Sequence, residues 1–239
     1  MKSLLAGIQS LKNSKTILSL ALSFFLLVSV TRGQSADAPK MHFGMKIQPA
    51  LAWLRSDTKG LESNGSEFRF TYGFISEFKF AERYYFATGV DVSNRGGSTR
   101  ITYSDTAMSV VSDANWKLRY IEIPLTLKLK TNEIGYLSYY LQFGLAPGFN
   151  IRSVADVTTT TQLTGGGTQT ASDEKVDVSD DVNFFNLSLV IGLGAEYRFS
   201  GTTSLVGGIT FSNGFLDAAS SNDVKLNTNY LGLTVGILF

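Results

Sequence analysis

Residues 67–80 leave the chain few architectures. Phe68, Phe70, Tyr72, Phe74, Phe78 and Phe80 fall on one parity; Glu67, Arg69, Thr71, Gly73, Glu77 and Lys79 fall on the other. Successive side chains of an extended chain point to opposite faces. The stretch therefore reads as a strand with one bulky apolar face and one small or charged face. The division returns at the far end, where Leu231, Leu233, Val235, Ile237 and Phe239 alternate with Tyr230, Gly232, Thr234 and Gly236.

Six further stretches repeat the pattern. Phe43, Met45, Ile47, Leu51 and Trp53 oppose His42, Gly44, Lys46, Gln48, Ala50 and Ala52. Tyr84, Phe86, Thr88, Val90 and Val92 oppose Tyr85, Ala87, Gly89, Asp91 and Ser93, and Ile121, Ile123, Leu125, Leu127 and Leu129 oppose Tyr120, Glu122, Thr126, Lys128 and Lys130. The remaining three run through residues 137–149, 185–199 and 204–215. The sequence thus predicts eight strands. Their connections alternate long and short, with the long ones at 55–66, 94–115, 153–181 and 216–227. Three prolines, Pro49, Pro124 and Pro147, fall inside strands and cannot donate to a ladder, so bulges or strand ends are expected there.

Volume decides which face looks inward. Eight strands close into a barrel whose interior is just wide enough for modest side chains. The second strand alone would push five phenylalanines and a tyrosine into that space. The Gly-, Ser-, Thr- and Ala-rich face fits inside, and the bulky face must meet lipid. Closure leaves no unpaired backbone edge in a bilayer. Short turns on one side and long loops on the other describe an up-and-down antiparallel transmembrane β-barrel with periplasmic termini and long extracellular loops. Aromatic residues near strand ends (Trp53, Trp116, Tyr84, Phe80 and Phe199) are expected as interfacial girdles.

The domain reading is a signal peptide at 1–33, a short periplasmic segment at 34–40 and the barrel at 41–239. Lys2, Lys12 and Lys15 precede an apolar run at 17–30 that is shorter than a spanning helix requires, and small residues follow. Without residues 1–33 the chain carries 17 basic and 20 acidic residues. That near balance argues against a nucleic-acid partner. There are no cysteines, which excludes a disulfide scaffold, a thiolate metal site and a cysteine-linked lipid anchor.

The inward parity carries Lys46, Arg69, Glu77, Lys79, Asp91, Glu122, Lys128, Glu196 and Arg198. Isolated charges in a narrow lumen are costly unless paired. Both signs are present, so a structural network of ion pairs is expected there rather than a pore. Catalysis is not expected. The single histidine, His42, lies at the start of the first strand, away from the long loops, and a Ser–His arrangement is demanding about distance. Asp173, Glu174, Asp177, Asp180 and Asp181 crowd the third long loop, but their spacing matches no calcium-binding loop. Neither a metal nor another cofactor is expected.

At Arg119-Tyr120-Ile121-Glu122-Ile123-Pro124-Leu125, then Lys128-Leu129-Lys130-Thr131-Asn132-Glu133-Ile134-Gly135-Tyr136, the chain resembles the PorT-type outer-membrane β-barrel family of Bacteroidota. The likeness includes the opening His42-Phe43-Gly44 and the terminal Phe239, which resembles the assembly signal of outer-membrane barrels. It implies an eight-stranded barrel in the outer membrane, with lipid and the barrel-assembly machinery as partners. The family's namesake is associated with type IX secretion, so secretion-system proteins are further expected partners. The expected role is structural or accessory in the envelope. A surface binding or adhesion module acting through the long loops is the alternative, and a narrow solute channel a third.

Overall fold

A computed structural model describes residues 41–239 except 107, 164 and 221–223. The expected signal peptide and the segment at 34–40 lie outside the described residues. Among the described residues there are eleven strand segments: β1 (Met41–Ser56), β2 (Leu61–Ser63), β3 (Ser66–Ala81), β4 (Tyr84–Ser104), β5 (Met108–Glu122), β6 (Leu125–Lys130), β7 (Leu137–Leu163), β8 (Thr168–Asp177), β9 (Phe185–Ser200), β10 (Thr203–Gly214) and β11 (Leu226–Leu238). β5 and β6 keep one register and form a single stave, so β1, β3, β4, β5–β6, β7, β9, β10 and β11 make eight. Each pairs antiparallel with its neighbour in sequence, and β11 pairs back onto β1. The ring is closed.

The register fixes its shape. The ladder leads from His42 to Glu77, Ala87, Thr126, Gly144, Val190, Ser212, Tyr230 and finally Ala52. One circuit therefore advances the starting strand by ten residues. That stagger goes with strands strongly tilted to the barrel axis and an interior that side chains can fill. Phe43, Phe68, Phe74, Leu193 and Leu233 lie exposed on the outer wall, whereas Gln48, Thr71, Glu77, Ser93 and Thr126 are fully buried within. This inversion of a soluble protein follows from closing a sheet whose bulky face cannot fit inside.

Aromatic pairs mark the two ends of the apolar band. Phe80 packs near Tyr84, and Tyr136 near Tyr197, beside the short turns. Trp53 stacks on Phe211, and Phe149 meets Phe184 and Phe185, beside the long connections. Trp116 departs from the expected girdle. It packs against the buried cluster of Leu118 and Tyr120 and donates from Nε1 to Thr99 Oγ1 at 2.9 Å.

The prolines behave differently from one another. Pro124 separates β5 from β6, as a strand end should. Pro49 and Pro147 stay inside β1 and β7 with no register shift at either residue, contrary to expectation. Pro147 sits opposite Ile123, whose N–H donates to the Pro147 carbonyl at 2.9 Å. In an antiparallel pair N–H and C=O of one residue point the same way. The missing donor thus falls in the ladder gap that Pro124 already opens.

Two long connections are not loops. Residues 94–115 form the outer halves of β4 and β5, and most of 153–181 belongs to β7 and β8. With β2 they build a sheet in the order β2-β4-β5-β7-β8 beyond the apolar band. The unbroken run of outward apolar positions in β7, from Leu137, ends at Ile151. The twelve residues to Leu163 extend roughly 40 Å further along the strand at about 3.3 Å per residue.

β4 also leans across the mouth of the ring. A Cβ on Gly97 would meet the Leu54 nitrogen at 2.7 Å and the Trp53 Cα at 2.9 Å, so only glycine lets these backbones approach. Gly97→Ala is expected to lower the unfolding free energy by about 1–3 kcal/mol through overpacking. Urea titration of the barrel in lipid vesicles, followed by tryptophan fluorescence, measures it.

Candidate functional site

The lumen is filled in three levels. Near the short turns, Lys128 Nζ lies 2.5 Å from Glu77 Oε1 and 2.5 Å from Glu196 Oε1. Lys130 Nζ lies 2.6 Å from Glu77 Oε2 and 2.8 Å from Glu196 Oε2. Two carboxylates and two ammonium groups thus close a four-membered ring of ion pairs. Tyr140 and Tyr85 present their faces to the lysines, with ring centres 4.1 Å from Lys128 Nζ and 4.2 Å from Lys130 Nζ. Tyr140 has room because Gly194 and Gly208 stand opposite, where an added Cβ would fall 2.7 and 2.3 Å from its hydroxyl.

Midway, Lys46 Nζ pairs with Asp91 at 2.7 Å, and Gln48 donates to Thr234 Oγ1 at 3.1 Å. A cavity in the lumen, lined by Lys46, Gln48, Asp91 and Glu122 among others, leaves about 40 Å³ of room. That suffices for a few waters, which polar walls could hold.

Above them Arg95 is fully buried. Its Nε lies 2.5 Å from Glu122 Oε1, and its Nη2 donates to Glu122 Oε2 at 3.0 Å and to Ser212 Oγ at 3.1 Å. Nη1 reaches Ser188 Oγ at 2.9 Å and Thr228 Oγ1 at 3.4 Å, and the Tyr230 ring lies 4.9 Å from the guanidinium carbon. An Arg–carboxylate ion pair whose two Nη groups are also engaged by hydroxyl acceptors is a geometry in which a buried charge is tolerable. Over it, Leu118, Tyr120, Ala155, Val178, Val182 and Ala218 form an apolar lid. The lid is held by Asn183 N–H donating to the Ala218 carbonyl at 2.8 Å and Ser220 N–H to the Asp181 carbonyl at 2.8 Å.

Of the nine charges assigned to the interior, Lys46, Glu77, Asp91, Glu122, Lys128 and Glu196 take part in these levels. Three stand elsewhere. Arg69 sits near the upper rim and donates to Asn115 Oδ1 at 2.7 Å and the Trp116 carbonyl at 3.1 Å. Lys79 is half-buried beside the short turn and forms no ion pair among the described residues. Arg198 is about half exposed and pairs with Glu133 at the short-turn end of its strand. Parity puts these last two on the right face, but the lumen ends before the strand does.

Arg95 and Lys130 are the residues that the sequence reading leaves out of the network. Arg95 continues the inward parity of Asp91 and Ser93, yet it falls in a segment too polar to read as strand. Lys130 shares the parity of Lys128. His42 pairs in register with Glu77 and lies against Tyr85, with ring centres 6.2 Å apart, and its Nδ1 has no hydrogen-bond partner among the described residues. Among the described residues no three His, Asp or Glu side chains are grouped to hold a metal ion. Asp177, from the acidic stretch, instead accepts from Ser179, at 3.0 Å from the N–H and 2.6 Å from the hydroxyl.

A closed eight-stranded ring, apolar outside and ion-paired inside, is an integral outer-membrane β-barrel. Residues 40–218 match the family described as outer membrane protein beta-barrel domain, and the chain belongs to it. Its place is accordingly the outer membrane. Solved structures with a similar course include Neisserial surface protein A, at 13% identity over 81% of this chain and 95% of that one, with a TM-score of 0.40. Ail, the attachment invasion locus protein of Yersinia pestis, is 17% identical over 82% and 99%, with a TM-score of 0.31. The outer membrane protein OprG of Pseudomonas aeruginosa is 9% identical over 84% and 95%, with a TM-score of 0.39. No curated protein is significantly similar in sequence.

Proposed function

We propose that this protein is a non-conducting, non-enzymatic barrel that holds a recognition surface above the outer membrane. The observation carrying this is the sheet β2-β4-β5-β7-β8, which continues three staves (β4, β5 and β7) beyond the lipid-facing band and adds β2 and β8 at its borders. β8, at its border, is exposed throughout. An edge strand offers unpaired N–H and C=O groups to an extended segment of a partner, while Asp173, Glu174 and Lys175 on the edge discourage indiscriminate pairing. Below it, the ion-pair levels and apolar lid occupy the lumen, which supports a non-conducting barrel.

Two measurements test this reading. In planar bilayers the purified barrel is expected to show no steady open current; a stable conductance would contradict it. Replacing residues 158–176 by a short Gly–Ser turn should leave the barrel heat-modifiable on gels but abolish binding of intact cells to surfaces that wild-type cells colonise. Unchanged binding would refute a role for the sheet.

A second reading, an accessory role in type IX secretion, is supported by the PorT-like segment from Arg119 to Leu125. Gene deletion distinguishes the two, since a surface recognition module leaves export of type IX cargo intact. In either case we assign acyl chains and the barrel-assembly machinery as partners. Phe239 on the outer wall, where its N–H donates to the Phe43 carbonyl at 2.7 Å, is the residue proposed for recognition during assembly.

A further inference from the structure

One cleft on the outer wall lies where the apolar band ends. It encloses about 360 Å³ and is lined by Phe68, Phe70, Lys117, Arg119, Arg152 and Lys175 among others, with no acidic side chain in its lining among the described residues. Its position follows from a defect in the ladder. Up to Ile151, the odd-numbered residues of β7 face outward; the register against β5 then shifts between Arg119 and Tyr120. Beyond that bulge Ser153 and Ala155 are buried and Arg152 is exposed. The extra residue thereby turns Arg152 to the outside, in register with Arg119 of the neighbouring strand. Bulges commonly re-aim a side chain in this way.

The result is an arrangement the barrel alone has no reason to build. Like charges directly opposite on adjacent strands destabilise a sheet. Arg119 is nevertheless held in place, its Nε donating to Asn94 Oδ1 at 3.0 Å while Asn94 donates to the Phe70 carbonyl at 2.6 Å. Neither its Nη groups nor the Arg152 guanidinium has a hydrogen-bond or ion-pair partner among the described residues. The nearby acids are engaged. Asp156 pairs with Lys117 and accepts the Lys175 N–H at 2.9 Å; Asp177 is bound by Ser179 and lies within electrostatic reach of Arg152 without pairing to it. Lys175, within electrostatic reach of Asp156 but in no ion pair among the described residues, adds a third cation, held on a backbone with φ of 56°, in the left-handed region that a lysine rarely occupies.

We infer that this cleft binds the phosphorylated headgroup of an outer-leaflet lipid. Two guanidinium groups side by side can share one phosphate through bidentate hydrogen bonds. The anion would remove the repulsion between Arg119 and Arg152. The height is right for a headgroup: Ile121 and Ile151, on the outer wall just below the arginines, already face acyl chains. Phe68, two-thirds exposed, and Phe70 offer the adjoining apolar wall against which a first acyl chain can lie. The inference rests on the outer-membrane location and not on the proposed recognition role of the extracellular sheet.

The test uses the whole barrel in phosphatidylcholine vesicles doped with either bisphosphorylated lipid A or its enzymatically dephosphorylated form. Lipid retained after extraction into detergent is counted by native mass spectrometry. Wild type is expected to retain the phosphorylated form selectively. Arg119→Gln with Arg152→Gln should reduce retention by more than about tenfold, since each lost cation near a charged lipid surface is worth about 1 kcal/mol or more. Lys175→Gln, outside the membrane wall, should cost about fivefold on the same scale and serves where the double variant does not fold. Arg55→Gln with Lys59→Gln removes two exposed cations elsewhere and should change nothing. Equal retention of the dephosphorylated lipid, an equal loss in the Arg55/Lys59 variant, or complete displacement by inorganic phosphate would each overturn the inference. The last outcome would identify a free-anion site instead.

Discussion

Arg95→Met is expected to lower the unfolding free energy of the vesicle-embedded barrel by about 3–5 kcal/mol, as removing one partner of a buried ion pair does. The cause lies in what remains. Glu122 is nearly inaccessible, and without the guanidinium its carboxylate has lost its Nη2 donor and the positive charge beside it. Ser188, Ser212 and Thr228 lose their common donor as well. Adding Glu122→Leu should return most of the stability, because replacing both partners by apolar groups of similar volume is close to neutral. Urea titrations of the three variants measure this. A single variant as stable as the parent would show that the pair does not hold the lumen together.

The second large effect tests which face meets lipid. Leu145 and Leu163 lie on the same strand with similar exposure, 41% and 46%. Leu145 pairs with Leu125 and Leu189 in the middle of the apolar band, while Leu163 ends β7 in the extracellular sheet. Leu145→Arg should cost about 2–4 kcal/mol at the bilayer midplane, and Leu163→Arg about 0–1 kcal/mol. In a water-soluble barrel both substitutions would be harmless. Equal, small effects in vesicles would therefore refute the transmembrane assignment, whatever the outcome at Arg95.

The contrast between those two leucines also explains what could be read from the chain and what could not. Alternation is legible where one side of a strand meets acyl chains and the other a crowded polar lumen. Phe68 to Phe80 is unmistakable for that reason. Past the membrane both faces of β4, β5 and β7 meet water, so the demand for apolar residues disappears and the period-2 signal fades. Residues 94–115 and 158–161, rich in Ser, Thr and Asp, then resemble loop although their backbones are paired throughout most of their length. Arg95 was hidden in that polar segment, and with it the ion pair that closes the upper lumen. Lys79 and Arg198 err in the opposite sense, since parity assigns a face but not a height.

Sequence alone determined the number of staves, their up-and-down order and the side that faces lipid. Those follow from periodicity and from the volume of phenylalanine against the bore of an eight-stranded ring. Only the tertiary structure decided who pairs with whom across that bore. A stagger of ten residues brings Lys130 beside Glu77 and Glu196, and Arg95 beside Glu122, Ser188, Ser212 and Thr228. Register and tilt arise from closing the whole ring at once, and no single strand carries them. The bulge that turns Arg152 outward to meet Arg119 is of the same kind, a property of two strands pairing and not of either by itself.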